Sequence, residues 1–382
     1  MSDSLPDIES EHNYCMARLP DYFDQNIITL SHDLDQHALV RYVYPEFIDL
    51  PWPTDTVFAL NLQWPTEWCK LPTGHSLYVL TFHLEQMDIE FVKQIAQTNA
   101  TSRVLVITDN DVPHSTWWPA NCEFVSWITW HKQLDQIALL YGIATEPNNP
   151  THKLSSLCFR TDQFKHYVTG YLLEHANTDD CIISYHGRHQ HRYFFELTGR
   201  QSLDNILAFM EAEQPHMELD GFDAGKNYPM ANCDWHVAPY TDAAVNFTNE
   251  GFHYSYTIKD GVNFYWPGPY VTEKTWKPLL AGCAFVSVGQ AHIYQYLEQL
   301  GLRFDYGLDL SHDVETRDFD RIEKIFKVID QVLDRSTQEL TELTKHSTQH
   351  NLDWIASGQF RTQCSDRNKK SLEQIRSKLV DL

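Results

Sequence analysis

Thr272, Glu273 and Lys274 put a capping hydroxyl, an acid and a base side by side in this chain. Thr272 can accept a bond from a free amide at a helix start. Glu273 and Lys274 then fall in the first turn of a short apolar helix predicted to end at Gly282. Residues 283–288 read as a buried strand closed by Gly289. A helix start offers unpaired N–H groups and a partial positive charge, which suit a phosphate, and Lys274 adds a full charge. Glu273 beside a diphosphate is repulsive unless it meets hydroxyls, such as those of a ribose. A plainer reading stands next to this one: the acid complements the helix dipole and the base is solvated. Pro278, inside the predicted helix, removes a donor and strands the carbonyl of Lys274, an irregularity of the kind that collects at sites.

Open α/β sheets hold ligands beyond the carboxyl ends of their strands. Arg160, His186 and Glu250 each stand just past a predicted strand, at 154–159, 181–185 and 243–248. In the first half, Glu85 follows a strand at 76–81, with His83 two positions before it. Glu85 is the candidate base, the alternative being a capping or solvated loop acid. Asp109-Asn110-Asp111 could hold a divalent ion and a diphosphate, although turns favour Asp and Asn in any case. His186, His189 and His191 have no Cys or carboxylate at ligand spacing, so no metal site is expected there. A polar loop is expected instead, with Arg188 or Arg192 reaching phosphate. Asp234-Trp235-His236 reads either as an acceptor-side pair or as a packed aromatic loop. The P-loop, G-x-S-x-G and G-x-G-x-x-G patterns are absent, which removes the common NTPase, hydrolase and dinucleotide readings.

The elements that must position these residues alternate. Strands are predicted at 57–60, 76–81 and 103–108, and helices at 87–97 and 133–141, with possible short strands at 27–30 and 39–44. Residues 143–152 carry two prolines and two asparagines without periodicity and read as a linker. Beyond it come strands at 154–159, 181–185, 243–248 and 283–288, and helices at 163–174, 201–212 and 291–300. A long amphipathic helix follows at 318–345, with Ile322, Ile325, Phe326, Ile329 and Leu333 on one face, and then a final helix at 366–382. Strands alternating with helices imply βαβ units around parallel sheets. The expected fold is α/β: two Rossmann-like parallel-sheet domains, 1–148 and 149–350, and a helical tail, 351–382.

Composition narrows the function classes. The chain has 382 residues, 42% hydrophobic and 13% aromatic, enough for two sizeable cores. Its 52 Asp and Glu outweigh 29 Lys and Arg, for a formal charge of −23. Such a surface repels a nucleic-acid backbone, so nucleic acid is disfavoured as a partner. Protonation of the 20 histidines in acid softens that charge. The 8 cysteines form no CxxC pair, so buried reduced thiols are expected rather than a disulfide framework. No apolar stretch approaches the roughly 18 residues of a membrane span, and no N-terminal apolar segment stands out. A cytoplasmic protein is expected.

The segment 270–274 resembles the Tyr-(Ile/Val)-Thr-Glu-Lys motif of the α-1,3-fucosyltransferases and related inverting glycosyltransferases. The stretch 244–250, Ala-Val-Asn-Phe-Thr-Asn-Glu, is similar to the strand and Glu that precede that motif. With 285–289 and the following helix, the resemblance covers roughly 240–310; a looser likeness to short phage and bacterial glycosyltransferase-like proteins runs over about 151–355. The resemblance implies a GT-B architecture and a metal-independent, inverting transfer of sugar from a nucleotide-diphosphate donor to a glycan or other hydroxyl acceptor. Carried over, Glu273 holds the ribose and Lys274 the diphosphate. Glu250 and Thr272 join them in the donor site, and Arg160 is a further diphosphate contact. The phage-type relatives carry a second Arg after theirs. Here that place holds His166, with Lys165 beside it. The carboxylate base is expected in an N-terminal loop, where Glu85 stands. The aromatic insertion between Glu250 and Tyr270 departs from the family, so sugar and acceptor specificity do not carry over. Two alternatives remain open: a non-catalytic nucleotide- or sugar-binding module, and a metal-dependent transferase using Asp109 and Asp111.

Overall fold

The structure, a computed structural model, describes residues 29–31, 45–60, 73–82, 89–108, 119–158, 163–185, 198–213, 215, 217, 238–250, 256–259, 262–265, 269 and 271–380. Its strands are β1 (Thr29–Ser31), β2 (Val57–Leu60), β3 (Leu77–Phe82), β4 (Arg103–Thr108), β5 (Cys122–Ser126), β6 (His152–Cys158), β7 (Cys181–Tyr185), β8 (Ala243–Asn249), β9 (Tyr256–Lys259), β10 (Val262–Tyr265) and β11 (Ala284–Val288). Its helices are α1 (Ile89–Thr98), α2 (Trp130–Tyr141), α3 (Gln163–His175), α4 (Gln201–Glu213), α5 (Ala238–Thr241), α6 (Glu273–Leu280), α7 (Ile293–Gln299), α8 (Asp318–Leu333), α9 (Thr337–Ala356) and α10 (Gln359–Val380). They divide into two compact units, one within 1–129, 256–267 and 365–382, the other within 130–255 and 268–364.

The first unit is built on a sheet ordered β1-β2-β3-β4-β5, antiparallel between β1 and β2 and parallel from β2 to β5. Side chains alternate across it because successive residues of a strand point to opposite faces. Val57, Tyr78, Leu80, Val104 and Val106 pack under α1 against Val92, Ile95 and Ala96. Phe58, Leu77, Val79, Leu105 and Ile107 point the other way and are covered by Ile375 and Leu379 of α10, with Phe47, Leu50 and Trp127. Burial on both faces explains why these strands read as unbroken apolar runs. Polar ties fasten α10 there: Asn368 bonds the backbone of Ile128 at both N and O (2.8 Å each), and Ser371 donates to Ser126 O (2.6 Å). The hairpin β9–β10 also belongs to this unit, with β10 against α1.

The second unit has a sheet ordered β11-β8-β6-β7, parallel throughout. From β6 the chain first adds β7 on one side, then β8 and β11 on the other. The order therefore reverses between β6 and β8, and the crevice at such a reversal is where open α/β sheets take ligands. On α3, Tyr171 stacks on Phe326 of α8 with centroids 4.1 Å apart. Gly170 lets α4 approach, since a Cβ there would stand 2.4 Å from Ile206 Cγ2. Trp276, fully buried in α6, meets Phe360 edge-on at 5.5 Å.

Several expectations change. The boundary between units falls at 129/130, and residues 143–150 are tied into the second unit instead of linking two domains. Ala144 N donates to Leu280 O (2.9 Å), and Asn148 Nδ2 donates to Tyr240 O (3.0 Å) and Ala243 O (2.6 Å). Gly282, at φ 69°, makes room for this segment: a Cβ would stand 2.9 Å from Glu146 O. The single helix expected at 318–345 is two, α8 and α9. The break is a capping box in which Ser336 Oγ accepts from Glu339 N (3.2 Å) and Glu339 accepts from Ser336 N (2.8 Å). Residues 366–380 of the expected tail are the second part of α10 and cover one apolar face of the first sheet. β5, β9 and β10 were not expected. The proposed strand at 39–44 lies outside the described residues. Among the described residues no helix is long and apolar enough to cross a membrane.

Candidate functional site

The central strands of the second sheet are unusually polar for strands buried on both faces. β6 carries Ser155 and Ser156, and β8 carries Asn246, Thr248 and Asn249, all buried. They satisfy one another: Asn246 Nδ2 donates to Ser155 Oγ (2.8 Å), Thr248 Oγ1 to Asn246 Oδ1 (2.7 Å) and Asn249 Nδ2 to Ser156 Oγ (3.0 Å). The ladder locks the two strands together on either side of the reversal. Asn249 Oδ1, at the carboxyl end of β8, is buried without a donor.

Glu250 follows β8 directly and is fully buried. Oε1 accepts from Thr272 N (3.2 Å) and Thr275 Oγ1 (2.5 Å), and Oε2 accepts from Thr272 Oγ1 (2.6 Å). Thr272 is the N-cap of α6, in extended conformation, with its hydroxyl taking Lys274 N at 3.3 Å. Lys274 is half-buried, and its Nζ lies 3.5 Å from the same hydroxyl. β8, Glu250 and the first turn of α6 thus form one hydrogen-bonded unit at the carboxyl edge of the sheet. Enclosed as it is, Glu250 acts on a ligand only through Thr272 and Thr275. Its carboxylate also occupies part of the positive field of the helix start. Lys274 brings a full positive charge to the same helix start. Glu273 opens α6, and the structure describes its backbone alone. Pro278 stands in the last turn of α6, where its ring removes the N–H that would otherwise reach back to the carbonyl of Lys274.

The end of β11 is held against the same corner. Gly289 permits it: a Cβ there would stand 3.2 Å from Glu250 Cβ and 3.0 Å from Ile293 Cδ1. Arg321 of α8, 1% exposed, donates from Nε to Gly289 O (2.9 Å), from Nη1 to Glu315 O (3.0 Å) and from Nη2 to Asp318 Oδ1 (2.6 Å). His292, at φ 69°, is the one non-glycine residue with positive φ among those described. Its N–H donates to Asp313 O (2.6 Å), and the Asp313 carboxylate takes the free amides of Tyr294 (3.1 Å) and Gln295 (3.2 Å) at the start of α7. Burial raises the Asp313 carboxyl above its usual range, opposed by those amides. Burial, with the Arg321 charge adding to it, pushes the neighbouring His312 imidazole down to about 4.

On the other side of the reversal, α3 begins shortly after β6. Lys165 and His166 of its first turn are 6% and 1% exposed, and Tyr185, the last residue of β7, hydrogen-bonds His166 Nδ1. Lys165 is therefore a buried lysine at the carboxyl edge, while His166 is spent on Tyr185. Arg160, Arg188, Arg192 and His186 lie outside the described residues, as do Glu85, Asp109, Asp111, Asp234 and His236. Among the described residues no three of His, Cys, Asp or Glu come together as a metal site.

Of the residues anticipated from sequence, Thr272, Lys274 and Glu250 are brought together. Thr275 was missed, although a second threonine three residues after the cap was in view. The polar ladder was missed too. Its signal was the presence of Ser, Asn and Thr in strands that a parallel sheet normally fills with apolar residues. No protein-family model, no curated protein and no solved structure matches this chain.

Proposed function

We propose that the protein is a nucleotide-sugar-dependent glycosyltransferase, of GT-B architecture, inverting and independent of metal. The observation that carries the proposal is the fastening of the α6 start, with Lys274, onto the carboxyl end of β8 by the buried Glu250, beside the reversal of an all-parallel sheet. Two parallel-sheet units support the two-domain arrangement.

In this reading the donor diphosphate lies against Lys274 and the first turn of α6, and its ribose meets Glu273. Arg160, Lys165, Arg188 and Arg192 supply further phosphate contacts. Inversion needs a base to take the acceptor hydroxyl proton as the diphosphate departs, and Glu85 has that role. The test is release of nucleoside diphosphate from a set of nucleotide sugars, with and without a chelator. Release that persists under chelation and is lost in Lys274→Ala is the expected result. Binding without release would make the protein a non-catalytic module, and loss under chelation would select a metal-dependent transferase.

A further inference from the structure

We infer that Glu250 is a positioning residue for the Lys274 ammonium, acting through the hydroxyl of Thr272. Its functional meaning rests on the reading that Lys274 holds the diphosphate, but the relay itself stands on geometry alone. A carboxylate only accepts hydrogen bonds. Oε2 takes the Thr272 hydroxyl proton at 2.6 Å, which commits the donor of that hydroxyl and leaves its lone pairs for donors. Two donors of Lys274 face it, the backbone amide at 3.3 Å and Nζ at 3.5 Å. Donation therefore runs one way, from Lys274 to Thr272 to Glu250. The other carboxylate oxygen, anchored by Thr272 N and Thr275 Oγ1, keeps Oε2 aimed at the hydroxyl.

Glu250→Gln tests the direction with almost no change of shape. If its amide nitrogen faces Thr272 Oγ1, it donates there, and the threonine proton is turned toward Lys274, where the facing groups are donors. If the amide is turned round, its oxygen still accepts the Thr272 hydroxyl, but its N–H groups meet the Thr272 N–H. The first orientation reverses the relay, and the second removes the anchor that aims it at the hydroxyl. Thr272→Val removes the hydroxyl at equal volume, whereas Thr272→Ser keeps it.

The experiment measures three quantities on each full-length variant: the labelling rate of the Lys274 amine by limiting acylating reagent, read by mass spectrometry; the affinity for pyrophosphate and a panel of nucleoside diphosphates; and the melting temperature. In Glu250→Gln and Thr272→Val, Lys274 is expected to label several-fold faster and diphosphate affinity to fall by on the order of tenfold. Thr272→Ser restores both. Ser336→Ala, which weakens the α9 cap away from the site, lowers the melting temperature without altering Lys274 labelling. Unchanged labelling in Glu250→Gln and Thr272→Val overturns the relay and leaves Glu250 a purely structural carboxylate. Faster labelling in a protein whose wild type binds no diphosphate upholds the relay and defeats the phosphate reading instead. If Glu250→Gln fails to fold, the contrast of Thr272→Val with Thr272→Ser decides.

Discussion

The Glu250 carboxylate takes both the backbone amide and the hydroxyl of Thr272, 22 residues further along the chain. The excursion between them includes the β9–β10 hairpin, which belongs to the first unit, yet its two ends are pinned to each other in the second. The bonds at the base of this excursion fasten the α6 start to the end of β8.

Removing that carboxylate leaves two hydroxyls and an amide buried without an acceptor. Glu250→Ala is expected to cost on the order of 3 kcal/mol, because buried donors deprived of a partner carry their full desolvation penalty. Urea unfolding of wild type and variant measures it. A loss under about 0.5 kcal/mol, the range of ordinary surface changes, would contradict the burial described here.

His312 gives a pH signature. Its imidazole titrates near 4 in the fold against 6.5 in an unfolded chain. Between those values the unfolded chain binds a proton that the native state refuses. Native stability therefore falls as pH drops from 6.5 toward 4, while the His312 contribution is flat above 6.5. The whole interval amounts to about 3 kcal/mol. Unfolding curves of wild type and His312→Phe, compared at neutral and acidic pH, isolate it from the other titrating groups. The variant is expected to lose less stability on acidification.

Gly282 carries the turn out of α6 at φ 69° and lies under the 146–147 backbone. Gly282→Ala adds a strained conformation to a contact of 2.9 Å with a backbone oxygen that cannot swing away. A destabilisation of about 2 kcal/mol is expected in thermal or urea unfolding.

Much of this architecture was legible in the chain because the physics is local. Thr272 announces its cap, and strands such as β4 and β11 announce themselves as apolar runs between turn residues. What escaped depends on distant partners or on overlooked chemistry. β5 carries Glu123, which looks out of place until Arg103 (2.6 Å) and Lys378 of α10 are seen to hold it. Those two cations, working against the burial that raises it, keep its carboxyl below the usual range. The role of α10 as cover for the first sheet was equally hidden, since nothing in residues 365–380 names the surface they meet. The hairpin and the α8–α9 break had local signals, Asp260-Gly261 and Ser336 with Glu339, that the wider alternation obscured. Within the site, Glu250 was recognised by its place after a strand. Its burial, and its use of Thr275 as well as Thr272, emerge only when α6 is folded back onto β8.

The most direct test of the central claim is thermal stabilisation by GDP, UDP, ADP, CDP and dTDP, with and without manganese, on wild type and Lys274→Ala. A ligand that binds the native state raises the melting temperature by mass action. One nucleoside diphosphate raising it in wild type and failing to do so in Lys274→Ala is the predicted result, and it would also name the donor base. No shift with any of the five at millimolar concentration would contradict the donor site and leave Glu250, Thr272 and Lys274 as the architecture of a helix start.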